Sequence, residues 1–402
     1  MSQLTVISIV AFLHFISWHL ISPYIALVAK AQGAGTDTIG LIMAAYAILP
    51  MIFAVPTGVV CDRAGTRKVF IISSTGVAIA SYALYVSRTI HFLAIALAAL
   101  GLFHVLQSVA SQVTIASMGD SNVVYRNFAI YGFYGCVGQL VGPPLGGVIA
   151  KNFGYNTLFM VSAFLALLMV PLAPLAREIK PSKPKLETSN SLDMTKQNIQ
   201  ALLRRPSYII SLLGIFGIIF LYSMRTSFYS VYFDEVSLDA PLIGMLLTIQ
   251  GAAETAIRPF IVSWRSRYGT APVLLLALVA CAASAMLTPL FKSAWLLSLV
   301  MGLGGVGFGM AQPITMALAS QAATDGERGL AMGVRMFANR LSSLMAPLLL
   351  GKIGKILGIK MIFVAAAVAI MVCFMIVYIL SKSDISLWPP KKSQALLRSP
   401  HV

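Results

Sequence analysis

The sequence predicts an all-α integral membrane protein with twelve transmembrane helices in two pseudo-symmetric six-helix halves, and three observations predict it. Of 402 residues, 58% are hydrophobic and only 10% are charged, too little polar surface for a water-soluble fold of this length. Apolar runs of spanning length recur between short polar breaks, and a helix crosses a bilayer with about 20 mostly apolar residues. The chain also echoes itself around a polar centre.

The runs fall near 4–28, 38–60, 69–87, 92–116, 128–150, 157–176, 207–233, 241–263, 271–290, 294–320, 330–350 and 360–381. The first starts by Leu4 without a basic leader and is too long for a signal-peptide core, so it reads as an uncleaved first helix. Between Arg177 and Arg205 hydrophobicity collapses into a segment with Lys180, Pro181, Lys183, Pro184 and Lys185, the composition of a linker. The expected organisation is an N-terminal half (1–176), a linker (177–206), a C-terminal half (207–384) and a tail (385–402). Across the linker, Lys151-Asn152-Phe153-Gly154 matches Lys355-Ile356-Leu357-Gly358, and Gly142-Pro143 with Gly147 matches Ala346-Pro347 with Gly351. Arg63-Ala64-Gly65 answers Arg267-Tyr268-Gly269, and all these pairs share an offset of about 204 residues. Several matches at one offset argue for a duplicated half.

The formal net charge is +16, but the cations sit in short inter-helix segments rather than on one exposed face, which argues against nucleic acid. Retention of positive loops in the cytoplasm accounts for them better. With both termini inside, the cytoplasm receives Arg63, Arg67, Lys68, Arg126, the basic linker, Arg265, Arg267, Arg328 and the lysines of the tail. The outside keeps Lys30, Arg88, Lys151, Lys292, Lys352, Lys355 and Lys360, the last three running against the rule. The expected location is the cell inner membrane. Four cysteines at no metal-ligand spacing point to packing, so neither metal, disulfide nor cofactor is predicted.

The loop after the second run reads Gly58-Val59-Val60-Cys61-Asp62-Arg63-Ala64-Gly65-Thr66-Arg67-Lys68. It resembles the signature between helices 2 and 3 of the major facilitator superfamily. A merely basic loop accounts for Arg67 and Lys68 but not for the spaced Gly58, Asp62, Arg63 and Gly65. The resemblance implies a cytoplasmic gate, although in the second half Ser266 stands where the repeat would place an aspartate. The fifth run carries Gly138, Gly142, Pro143, Gly146 and Gly147, similar to the helix-5 motif of that superfamily's drug-proton antiporters, which implies export. An ordinary glycine-rich packing face is the alternative. The resemblance further implies a central cavity lined by helices 1, 4, 7 and 10, with a small-molecule substrate, protons and lipid as partners. A monomer is expected.

Polar periodicity in those runs nominates His14 and Trp18 on the first, His104, Gln107 and Ser111 on the fourth, Tyr222, Arg225 and Tyr229 on the seventh, and Gln312 on the tenth. The tyrosines also suit plain packing. Ionisable groups inside a membrane are costly and therefore informative. Arg225, Arg258, Arg335 and Arg340 lie within runs against a single clearly embedded carboxylate, Glu254. Glu254 precedes Arg258 by four residues, the favourable order for a helical ion pair, which makes the two a candidate coupling unit. Arg225 and Arg340 are candidate anion contacts, whereas Arg258 and Arg335 lie close enough to the interface to snorkel. The expectation is a proton-coupled exporter of a small amphipathic organic compound, neutral or anionic, of the drug, metabolite or siderophore kind, working by alternating access of two halves. The alternatives are an uptake symporter of an organic anion and, with no HExxH, CxxC or Gly-x-Ser-x-Gly to support it, a membrane-embedded enzyme.

Overall fold

The computed structural model describes residues 3–118, 121–176, 199–323, 328–384 and 387–388. The side chains of 54–56, 58–64, 121–122, 125, 129 and 328–329 are outside that description, as are the linker residues 177–198 and most of the tail. Gly58, Asp62 and Arg63 of the gate motif therefore lie outside the described side chains; Arg67 and Lys68 are exposed.

Among the described residues the chain is helical, without strands. The N-terminal half comprises α1 (Gln3–Ala31), α2 (Thr36–Ala64), α3 (Thr66–Val86), α4 (Ile90–Ala116), α5 (121–153) and α6 (155–167). The C-terminal half comprises α7 (Pro206–Glu235), α8 (Ala240–Tyr268), α9 (Thr270–Leu290), α10 (Ala294–Ala322), α11 (Arg328–Leu357) and α12 (Ile359–Lys382). Ten helical runs are long and apolar enough to cross a membrane. One of them holds both α5 and α6, and α11 falls short because it carries Arg335, Arg340, Lys352 and Lys355, which brings the total to twelve. An even number of passes returns Lys382 to the end where Gln3 starts. Large apolar side chains such as Ile79, Ile95, Trp295 and Ile379 point outward, a cost in water that vanishes in lipid.

The duplication is written into the turns. Gly65 and Gly154 break the chain with φ of 83° and 81°, and Gly269 and Gly358, each 204 residues later, do so with φ of 87°. Positive φ is strained for any residue with a Cβ, so these four positions require glycine if the next helix is to start at once.

At the end opposite the termini the halves close on each other through reciprocal contacts, the glycines, prolines and lysines of which repeat at that offset and the aspartates within two residues of it. A Cβ on Gly40 of α2 would strike the carbonyl oxygen of Pro347 on α11, and one on Gly244 of α8 would strike that of Pro143 on α5. Lys355 pairs with Asp37 at 2.8 Å across α11 and α2, while Lys151 pairs with Asp239 at 2.8 Å across α5 and α8. A third pair, Lys30 with Asp234 at 2.7 Å, joins the ends of α1 and α7. The Tyr24 hydroxyl donates to the Pro143 carbonyl at 2.6 Å and lies 3.2 Å from that of Ala240. Lys355, an exception to the charge rule in the sequence, is thus matched by an acid of the opposite half.

Candidate functional site

Between that sealed end and the termini lies a cavity of about 490 Å3 walled by both halves. Trp18, Tyr222, Gln312, Arg340, Glu254 and Arg258 all line it. Arg258 opens the short 3-10 turn inside α8 (Arg258–Phe260), and its side chain is 43% exposed, so the cavity opens on the terminus-bearing side.

Glu254 is the deepest charge on the wall, with its side chain only 5% exposed. Arg258, four residues on, donates to it at 2.6 Å. The amide of Gln139, on α5 of the opposite half, donates to the other carboxylate oxygen at 3.1 Å. Local sequence makes this reach feasible. Gly251 leaves room for the amide, since a Cβ there would come within 3.1 Å of the Gln139 nitrogen. Gly138 and Gly142 hold α5 tight against α1, where Cβ atoms would come within 2.7 Å of Phe15 and His19. Gly146 faces Leu20 and Tyr24, and Gly147 abuts Ala240 and Pro241 of the other half. The helix-5 glycines therefore serve two interfaces, one inside a half and one between halves.

A smaller chamber of about 200 Å3 opens beside the main cavity and shares Trp18, Tyr46, Tyr222 and Arg340 with it. His14 and His104 lie here, their rings in edge contact at 4.5 Å between centroids. The Tyr46 hydroxyl is 3.0 Å from His104 Nδ1, and Trp18 stacks on Tyr46 at 4.3 Å.

Four nominated residues stand elsewhere. Gln107 is buried between α3 and α4, accepting from the hydroxyl of Ser73 and, at 3.3 Å, that of Ser74. The Ser111 hydroxyl turns back onto the Gln107 carbonyl at 2.9 Å. Tyr229 is fully buried with its hydroxyl 3.3 Å from that of Thr288 on α9. Arg225 is buried behind the wall, its guanidinium 5.5 Å from the ring centre of Tyr222, where five residues, Arg225–Tyr229, form a π turn. Gln107 and Tyr229 thus turn their polarity to neighbouring helices and Ser111 to its own backbone, while on α7 it is Ser223, Thr226 and Ser227 rather than Arg225 and Tyr229 that reach the cavity, at and just before the π turn. Arg335 does not snorkel: it is buried and donates to the Thr315 hydroxyl at 3.0 Å and the Gln312 carbonyl at 3.3 Å.

Sequence reasoning passed over Tyr46, Gln139 and Asn339, which also line the cavity. Gln139 left a signal, an amide between two motif glycines on an apolar helix. Tyr46 left none, because a tyrosine in an apolar run carries no periodicity. The lining draws on α2, α5, α8 and α11 as well as on α1, α7 and α10, whereas α4, the fourth helix anticipated, lines only the smaller chamber. Among the described residues no group of three or more His, Cys, Asp or Glu side chains is placed to hold a metal.

A solvent-reached cavity at the junction of two pseudo-symmetric membrane halves defines a transporter. The sequence profile described as "Major Facilitator Superfamily" matches residues 7–238 and 226–400, and the chain belongs to that family. It is 26% identical over 327 residues to the MFS-type transporter SLC18B1 of Rattus norvegicus, covering 73% of this chain and 66% of that protein. It is 24% identical over 321 residues to a class D tetracycline resistance protein of Salmonella ordonez, covering 77% and 78% of the two. The matches to the rat protein and to an uncharacterised MFS-type transporter of Methanocaldococcus jannaschii span 66% and 65% of those relatives, less than two thirds of their length. Among solved structures, a mutant of the nucleoside transporter NupG superposes with TM-score 0.81 at 14% identity, covering 94% of this chain and all of the other. A bacterial homologue of the lysosomal transporter Spinster, inward-facing and unoccupied, gives TM-score 0.80 at 11% identity, covering 97% and 98%. The fold is thus that of the superfamily, and membership of that family makes the chain a transporter rather than an enzyme.

Proposed function

We propose that the chain is a proton-coupled exporter of a small amphipathic organic anion, working by alternating access of the halves 1–176 and 207–384. The observation that carries the reading is Glu254, a buried carboxylate on the cavity wall held at once by Arg258 of its own helix and Gln139 of the other half. Proton uptake would remove the charge that Arg258 attracts and weaken the charge-assisted bond to Gln139, so protonation and the contact between halves are linked. Deprotonation restores both. Similarity to tetracycline resistance proteins and the helix-5 glycines support export.

The loop-charge asymmetry supports termini in the cytoplasm, which makes the sealed end external and the cavity accessible from inside, as loading for export requires. A bacterial inner membrane and a monomeric working unit fit this reading. The buried Nε of Arg340 has no hydrogen-bond partner among the described residues and, with Arg225 behind Tyr222, Arg340 leaves the cavity electropositive, which supports an anion. That charge would equally suit uptake of an organic anion, so direction of flux in inverted vesicles is the discriminating measurement. A siderophore draws no support from this cavity.

Glu254→Gln fixes the uncharged state at nearly constant shape. This variant should bind substrate with affinity within a few-fold of wild type, yet lose pH-gradient-driven flux in proteoliposomes. Undiminished flux would remove Glu254 as the coupling group.

A further inference from the structure

The side chamber points to the kind of anion. We propose that it binds the planar aromatic ring of a substrate whose carboxylate lies on Arg340, so that aromatic carboxylates are the preferred class over aliphatic ones. This rests on the reading of the main cavity as the substrate path and deepens it.

Size comes first. The chamber measures about 200 Å3, and a cavity of about 150 Å3 in another protein holds benzene, so one ring or a compact fused pair fills the space. Shape follows from the walls. Trp18 and Tyr46 form a flat stack only 8° from parallel, and the His104 ring stands edge-on to both, at 5.2 and 5.8 Å between centroids. Tyr222 and Phe15 add further ring surface, while Gly101 lets α4 close on α2 beside Tyr46, since a Cβ there would strike the Tyr46 carbonyl oxygen. A planar guest meets such walls face to face or edge to face, the two arrangements that ring quadrupoles favour. A saturated ring of equal volume fills the chamber but forgoes those contacts.

Charge completes the argument. Arg340 lines both the chamber and the main cavity, at the point where a ring inside the chamber would present its substituent. Its Nε is buried without an acceptor, and the Nε–Nη edge is the side of a guanidinium that takes a carboxylate in bidentate fashion. The other cation on the main wall, Arg258, is already occupied by Glu254. The remaining ionisable groups facing the chamber are His14, His19, His104, Tyr46 and Tyr222, with no carboxylate among the described lining residues, and Arg225 stands behind Tyr222. The carboxylate of the adjoining main wall, Glu254, has its charge met by Arg258.

The test is calorimetric titration of the purified full-length protein with benzoate, cyclohexanecarboxylate and benzamide. The first pair differ in ring character at similar size and charge; benzoate and benzamide differ in charge at similar shape. Wild type should bind benzoate about tenfold more tightly than either other probe, a factor corresponding to one or two good ring contacts or one charge-assisted pair. Trp18→Leu should bring benzoate down to the level of cyclohexanecarboxylate, and Arg340→Gln down to that of benzamide, with melting temperatures confirming that each variant folds. Equal affinity of wild type for benzoate and cyclohexanecarboxylate, or no benzoate binding up to several millimolar, overturns the proposal, and the wild-type ranking needs no variant. The exporter reading fails separately: a ring preference without proton-linked flux would overturn that reading alone. Proton-linked flux of some other anion without a ring preference would overturn only this one.

Discussion

Glu254 has two partners with different mechanical consequences. Arg258 travels with it on α8, so their ion pair is preserved in any rigid rotation of the C-terminal half, whereas Gln139 belongs to α5 and must separate when the halves rock. Gln139→Leu should therefore keep substrate affinity, lower pH-gradient-driven flux by about tenfold, the worth of one hydrogen bond to a charged group, and move the pH midpoint of that flux. Flux against external pH in proteoliposomes checks it, and an unchanged midpoint would reduce Gln139 to packing. At this scale the sequence was half legible. Glu254 stood out because one carboxylate among many arginines in apolar runs has no innocent explanation. Gln107, Ser111 and Tyr229 were misassigned because polarity along a helix does not say whether it meets a cavity or another helix. The partners of Gln107 and Tyr229, Ser73 and Thr288, lie on other helices and are neighbours only through packing, whereas Ser111 turns to the carbonyl of Gln107 on its own helix.

Helix α5 links the residue scale to the bundle. Its glycines look alike in sequence, but Gly138, Gly142 and Gly146 face α1 while Gly147 faces α8, so substitutions along one motif should have different consequences. A leucine at Gly142 would be driven into the α1 backbone, with its Cβ 2.8 Å from the His19 carbonyl carbon and 2.9 Å from the Leu20 nitrogen. Overpacking of that kind costs about 1–3 kcal/mol or more. Gly142→Leu should thus lower thermal stability. Gly244→Ala instead presses on the Pro143 carbonyl across the closing interface, so it should leave the melting temperature nearly unchanged while raising labelling of cysteines placed at the sealed end. Equal melting losses in the two variants would show that the glycines act as one packing face.

For the whole molecule, the sealed end is built from reciprocal halves of one design. The duplicated lysines Lys151 and Lys355 each reach an aspartate of the opposite half, Asp239 and Asp37. Asp239 lies outside the membrane spans as the N-cap of α8, and its hydrogen bonds from Lys151 and from the Leu242 backbone hold its carboxyl below the usual carboxylate range. A depressed value means the stabilisation is fully present above the ordinary carboxylate pKa and is lost as pH falls through the lowered one. The seal should therefore be insensitive to pH near neutrality and loosen only in acid, leaving the coupling to Glu254. Because exposed pairs contribute little one at a time, Lys355→Glu should shift the closed population only a few-fold, and Lys151→Glu with Lys355→Glu should open the end more than either alone. Adding Asp37→Lys and Asp239→Lys should restore closure with the charges exchanged. Spin-label distances across the sealed end read each step, and failure of the exchanged set to close would show that the glycine contacts suffice without charge.

The sequence by itself determined the solvent, the number of passes, the duplication and the family. These rest on composition, on run length against bilayer thickness and on glycines whose backbone conformation tolerates nothing else, all local properties. The ion pair within α8 was local too, since four residues of helix bring its partners together. Tertiary structure alone decided which polar groups share the cavity, that Gln139 reaches Glu254 from the other half, and that Lys151 and Lys355, the second at odds with the loop-charge rule, answer aspartates 88 and 318 residues away. Contacts between helices depend on the rotation of each helix about its axis and on how the two halves meet, and neither quantity is encoded in the periodicity of any single run.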